Sequence, residues 1–124
     1  MLKVYPAIFH EEGGYWVEFP DLEGCQTYGS TLEETMQLAQ EALGLYLATL
    51  IENGENIPVP SSIKDISTKE IASYVAVDIN RYIRNNHSVK KTLSIPAWLA
   101  KAAEREHLSL SKILQEGLRN KLGL

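Results

Sequence analysis

Lys90, Thr92 and Ser94 alternate with Leu93 and Ile95 along the stretch Val89–Pro96. In an extended strand successive side chains point to opposite faces. One face here carries an ammonium and two hydroxyls, and the other is apolar. Such a polar face suits base edges: lysine donates to guanine acceptors or to phosphate, and hydroxyls donate or accept. A second group follows at Ser109, Ser111 and Lys112. There the free N–H groups of a helix start, helped by a lysine, would grip phosphate.

Catalytic chemistry finds less support. A metal-dependent nuclease needs several carboxylates around two ions, yet the first strand has none before Glu11, and Glu41 has no evident partners. No catalytic residue, metal ligand or cofactor is assigned. His10, His87 and His107 show none of the zinc spacings. They read as a packed or exposed polar residue at a strand end, a linker residue and an inter-helix residue. Cys25 is the single cysteine; it can form no internal disulfide, and cytoplasm is the default compartment. For a protein partner the candidates are Trp16 with Glu18, Asp21 and Glu23, an aromatic beside carboxylates. Trp16 has two readings: it packs under the long helix, or it is an exposed anchor.

The elements that must position these residues follow from periodicity. Leu2–His10 reads as a strand, with Tyr5, Ala7 and Phe9 on one face. Pro6 lacks an N–H, so the strand lies at an edge or has that position unpaired. Glu11-Glu12-Gly13-Gly14 is a hairpin connection. Tyr15–Phe19 returns, and Cys25–Gly29 is a short third strand after the turn-rich Pro20–Gly24. Ser30-Thr31-Leu32-Glu33 has capping-box spacing and opens a long helix with Leu32, Met36, Ala39, Leu43, Leu47 and Leu50 as its apolar stripe. Asn53-Gly54 stops it. Ile57-Pro58-Val59-Pro60-Ser61 is an extended loop, and Ser73–Ile79 is a fourth strand. The order β-β-β-α-β describes an α+β domain with one helix across a mainly antiparallel sheet.

After the polar Arg84–Ser88, read as a linker, comes the strand 89–96. Pro96 stands at a first helical position, and Trp98, Leu99, Ala102 and Ala103 stripe a helix through Glu106. Ser109 caps a second helix with Ile113, Leu114, Gly117, Leu118 and Leu122 inward. A unit of this size buries too little surface to fold alone, and a lone strand leaves its N–H and C=O groups unpaired. Two copies that pair strands antiparallel and interleave helices solve both problems. The domains expected are 1–83, a linker 84–88, and 89–124.

Charge divides at the same place. The chain of 124 residues has net charge −4. Residues 1–83 hold four basic and thirteen acidic side chains, net −9, and residues 84–124 hold eight and three, net +5. A basic module that attracts polyanions is joined to an acidic one that suits a basic partner. No apolar run reaches the roughly 18 residues of a membrane span, so no membrane partner is expected.

The C-terminal stretch, on Lys90-Lys91-Thr92-Leu93-Ser94-Ile95-Pro96 and the helix–Ser109–helix pattern, resembles the ribbon-helix-helix (MetJ/Arc-type) DNA-binding family. That resemblance implies base reading by Lys90, Thr92 and Ser94 and a phosphate grip at Ser109. Lys91 departs from it, since it takes an inward position usually apolar. Residues 3–61 resemble the HicB antitoxin family through Tyr5-Pro6-Ala7-Ile8-Phe9, Gly14-Tyr15-Trp16-Val17-Glu18-Phe19-Pro20-Asp21-Leu22-Glu23-Gly24-Cys25, Gly29-Ser30-Thr31-Leu32-Glu33-Glu34 and Ile57-Pro58-Val59-Pro60-Ser61. Together they imply a non-enzymatic antitoxin. A partial RNase-H-like domain would block a small basic HicA-type ribonuclease toxin, and a ribbon-helix-helix dimer through 89–124, or a higher oligomer, would repress its own promoter. The alternatives are a ligand-sensing ribbon-helix-helix repressor without a toxin partner, and a metal-dependent ribonuclease using Glu41.

Overall fold

The computed structural model describes residues 1–84 and 88–124, and the chain divides into two compact units, Met1–Asn86 and His87–Leu124. Of the expected linker Arg84–Ser88, residues 85–87, His87 included, lie outside the described residues.

The first unit is built from β1 (Leu2–Glu11), β2 (Tyr15–Glu18), β3 (Gln26–Gly29), α1 (Leu32–Glu52) and β4 (Ile71–Asp78). The sheet order is β3-β2-β1-β4, and all three ladders are antiparallel. Alternation decides its faces. Tyr5, Ala7, Phe9, Val17, Phe19, Val75 and Val77 are buried and share one core with Ala39, Leu43 and Leu47 of α1. Full burial of a leucine such as Leu43 contributes about 1.5–3 kcal/mol relative to exposure, so α1 is held chiefly by its stripe.

β1 is an interior strand, not an edge. The proline is tolerated because the β1–β2 ladder covers only Ile8–Glu11, whereas Pro6 lies opposite Tyr74 of β4. On its β2 flank Pro6 therefore has no ladder partner for a missing N–H to break. The helix cap is displaced by one residue from the expected Ser30/Glu33 pair. Thr31 is the N-cap, and its Oγ1 accepts from the Glu34 N–H at 3.1 Å. The Glu34 carboxylate reaches back to the Ser30 N–H at 3.4 Å. Thr35 is fully buried and its hydroxyl donates to the Thr31 carbonyl. That side chain sits where a Cβ on Gly29 would come within 2.6 Å of its Oγ1, so β3 and the start of α1 approach too closely for any larger residue at 29.

The second unit contains α2 (Ala97–Arg105) and α3 (Leu110–Leu122). Pro96 is the N-cap of α2 and not its first helical residue. Ser109 caps α3, its Oγ accepting from the Lys112 N–H at 3.4 Å. His107 turns the chain with a left-handed φ of 53°. Residues 88–96 carry no regular secondary structure. The strand expected there does not form in a single chain, where no second strand exists to complete its ladder.

Candidate interaction surfaces

On the first unit the sheet face turned away from α1 holds the predicted aromatic. Val17 and Phe19 take the helix side, at 0% and 3% exposure. Trp16 therefore does not pack under α1. Its ring stacks on that of His10, its cross-strand partner, with centroids 3.9 Å apart and planes 9° from parallel. Across β2 the register places Trp16 opposite Tyr28 of β3. His10, Trp16 and Tyr28 thus form one row across three strands, and Tyr28 is 78% exposed. Glu18 lies one pair along the same face, its Oε1 3.6 Å from His10 Nε2.

The other two predicted protein-contact residues are on the Pro20–Gly24 turn. Asp21 is engaged within the domain: its carboxylate accepts from the Ser61 N–H at 2.9 Å and from the Ser61 hydroxyl at 2.5 Å. This pins the loop 57–61 to the turn, and the Tyr5 hydroxyl, which donates to the Pro58 carbonyl, holds the same loop from the core side. Burial first, and the Asp21 carboxylate second, push the Tyr5 hydroxyl up to about 12. Glu23 is exposed, and only its backbone carbonyl is used, by the Tyr46 hydroxyl at 3.0 Å. The structure thus brings Trp16 and Glu18 together and leaves Asp21 and Glu23 on a neighbouring turn.

Sequence reasoning missed His10 and Tyr28 as members of this face. The hairpin held the signal: with Glu11 paired to Tyr15 around Glu12–Gly14, His10 must face Trp16. Tyr28 depended on the β2–β3 register, which no turn motif announces.

Cys25 is buried, and burial pushes its thiol up to about 11. Among the described residues no group of three or more His, Cys, Asp or Glu side chains is placed to hold a metal ion. Nor is any helix among them long and apolar enough to cross a membrane.

On the second unit Lys90, Thr92 and Ser94 are all exposed on the non-helical stretch, and Ser109, Ser111 and Lys112 surround the exposed start of α3. The first N–H groups of a helix have no carbonyl within it to bond, which makes this end receptive to anions. No described residue of this unit is buried. Leu93, Ile95, Trp98, Leu99, Ile113, Leu114 and Leu118 are between 41% and 69% exposed. Large apolar side chains left this exposed are candidates for burial against a partner.

Comparison with known proteins places these surfaces in context. A family model described as "HicB_like antitoxin of bacterial toxin-antitoxin system" matches residues 5–116. Antitoxin HicB 1 of Photorhabdus laumondii is 42% identical over 61 residues, 48% of this chain. The match spans 39% of that relative's length. A chain of the toxin-antitoxin complex from Streptococcus pneumoniae is 32% identical with a TM-score of 0.63, covering 98% of this chain and 99% of that one. The antitoxin HicB of Burkholderia pseudomallei shares the fold, with a TM-score of 0.66 at 21% identity over 97% of this chain and 98% of its own.

Proposed function

This chain belongs to the HicB-like antitoxin family of bacterial toxin-antitoxin systems, and from that membership we propose that it neutralises a small basic HicA-type ribonuclease toxin and represses its own operon. It acts by binding and not by catalysis. The observation that carries the reading is the likeness, over nearly the whole chain, to a chain of a toxin-antitoxin complex.

In this reading residues 1–83 are a partial RNase-H-like domain that binds the toxin, and 84–88 link it to a ribbon-helix-helix at 89–124. The β-β-β-α-β order and the net charge of −9 support the first assignment. Trp16 and Glu18, with Asp21 and Glu23 on the adjoining turn, are the proposed toxin contacts. The exposed apolar residues of the second unit and its unpaired segment 88–96 support the second. Two copies would pair Val89–Ile95 as a ribbon, put Lys90, Thr92 and Ser94 into the major groove, and hold phosphate at Ser109, Ser111 and Lys112. Burying those apolar side chains between copies supplies the core each copy lacks.

The test pairs two readouts on the purified full chain. One is relief of RNA cleavage by the toxin encoded in the neighbouring reading frame; the other is retention of operator DNA. Lys90→Ala with Thr92→Ala is expected to abolish DNA retention and leave neutralisation intact. Equal loss of both would overturn the division of labour. Failure of the wild type to relieve cleavage, with DNA retention intact, would favour a repressor that answers to a small ligand.

A further inference from the structure

A groove of about 660 Å³ runs round the hairpin end of β2 and the end of β3. Glu12, Tyr15, Trp16, Gln26, Tyr28 and Ser30 are among its lining residues, and no lysine or arginine lines it; of the aromatics, Trp16 and Tyr28 are a cross-strand pair on one face of the sheet. The backbone itself makes the groove narrow at one end. A Cβ on Gly14 would come within 2.9 Å of the Gly29 carbonyl oxygen, so the hairpin loop and the end of β3 meet there with nothing between them. The four basic residues of this half of the chain (Lys3, Lys64, Lys69 and Arg81) all belong to other segments.

Aromatic faces attract a cation through their quadrupole, and arginine, planar and weakly hydrated, is the cation that both stacks on rings and bonds carboxylates. A groove whose lining includes the cross-strand pair Trp16–Tyr28 and the acidic Glu12, with no lysine or arginine, suits a guanidinium better than an anionic group. The stacked pair His10–Trp16 adds rigidity. With its ring held 3.9 Å from that of His10 on the neighbouring strand, Trp16 loses little freedom when a ligand settles on the exposed side of the row.

We propose that this groove is the receptor for an arginine side chain presented by the basic partner protein, with Tyr28 as the stacking surface and Glu12 as the counter-charge. The proposal rests on the antitoxin reading and deepens it. It extends the contact from Trp16 and Glu18 toward the hairpin end of β2 and adds Tyr28 and Glu12.

Calorimetric titration of the full chain with the toxin of the neighbouring reading frame tests it. Tyr28→Ala is expected to weaken binding about tenfold or more and Tyr28→Phe by no more than about threefold, since the ring is what the cation needs. Glu12→Gln is expected to weaken binding by a few-fold at low salt, with the loss shrinking as salt rises. Gln37→Ala, exposed on α1 and part of no proposed contact, should stay within about twofold and sets the scale of nonspecific effects. Circular dichroism of each variant confirms that the sheet is intact. If the wild type binds and Tyr28→Ala binds equally well, the groove is not the receptor, while the antitoxin reading stands. If the wild type does not bind, the antitoxin reading falls and takes the groove with it.

Discussion

The ring of Tyr82 lies directly on Gly44. A Cβ built at position 44 would sit 2.4 Å from two of its ring carbons. Gly44 is in the middle of α1, where glycine costs about 1 kcal/mol relative to alanine, and the notch it leaves receives the segment that follows β4. Tyr82 belongs to a single 3₁₀ turn (Ile79–Arg81 and its cap), and just beyond it the Arg84 N–H donates to the Glu52 carboxylate at 2.6 Å. Where the first unit ends is thus set by contacts with α1.

Gly44→Ala is expected to destabilise the first unit by about 1–3 kcal/mol, because overpacking against the ring outweighs the better helix propensity. In a Tyr82→Ala background the same change should be neutral or stabilising by up to about 1 kcal/mol. Urea unfolding of the four chains measures the cycle. A destabilising Gly44→Ala in both backgrounds would show that something other than Tyr82 fills the notch.

Tyr5 should make stability fall at high pH. Its hydroxyl is raised from 10.0 to about 12 in the folded chain, by burial and then by Asp21. The protonated form is the one the fold favours. This contribution is therefore complete below pH 10 and is lost as pH rises toward 12. Tyr5→Phe removes the bond to the Pro58 carbonyl and is expected to cost about 1–2 kcal/mol at neutral pH. It should also flatten the alkaline part of the stability profile. An unchanged slope between pH 10 and 12 in the variant would refute the assignment.

Cys25 should resist modification while the protein is folded. It is 4% exposed and its thiol is pushed up to about 11, so at pH 8 roughly one molecule in a thousand carries the reactive thiolate. Iodoacetamide labelling followed by mass spectrometry should be slow in buffer and rapid in urea. Rapid labelling of the native chain would mean that the turn beside β3 opens readily.

The helices of the second unit should depend on a second copy. Leu118→Asp puts a charge at a 53% exposed position. It should leave an isolated chain almost unaffected if that position faces water, but abolish self-association if it faces another copy. The expected result is a shift to monomer in sedimentation velocity at micromolar concentration, with loss of part of the helical circular dichroism and of operator retention. A dimer of unchanged strength would place the self-association elsewhere.

How far these features were legible beforehand differs by residue. Ser109 could be named as a cap, and Asn53-Gly54 as a stop, because caps and stops are settled within four or five neighbouring residues. The cap falls on Thr31 and not on the expected Ser30, since both offer a hydroxyl, each has a glutamate three residues on, and the local pattern does not choose between them. Trp16 kept two readings because alternation assigns residues to two faces but does not say which face the helix covers. Pro6 was legible as a residue with an unpaired flank, though not as one in an interior strand, since strand order depends on where the long connection 53–70 delivers β4.

The sequence by itself determined the local and the additive properties of this protein. These are the β-β-β-α-β order, the stop of α1 at Asn53-Gly54, the cap of α3 at Ser109, and the division of charge into −9 and +5. Each depends on neighbours along the chain or on a sum. The tertiary structure alone decided the sheet order, the row His10–Trp16–Tyr28, the loop pinned by Asp21 and Tyr5, and the notch that Gly44 opens for Tyr82. Those are contacts between residues far apart in sequence, chosen by register and close packing, which no local pattern encodes.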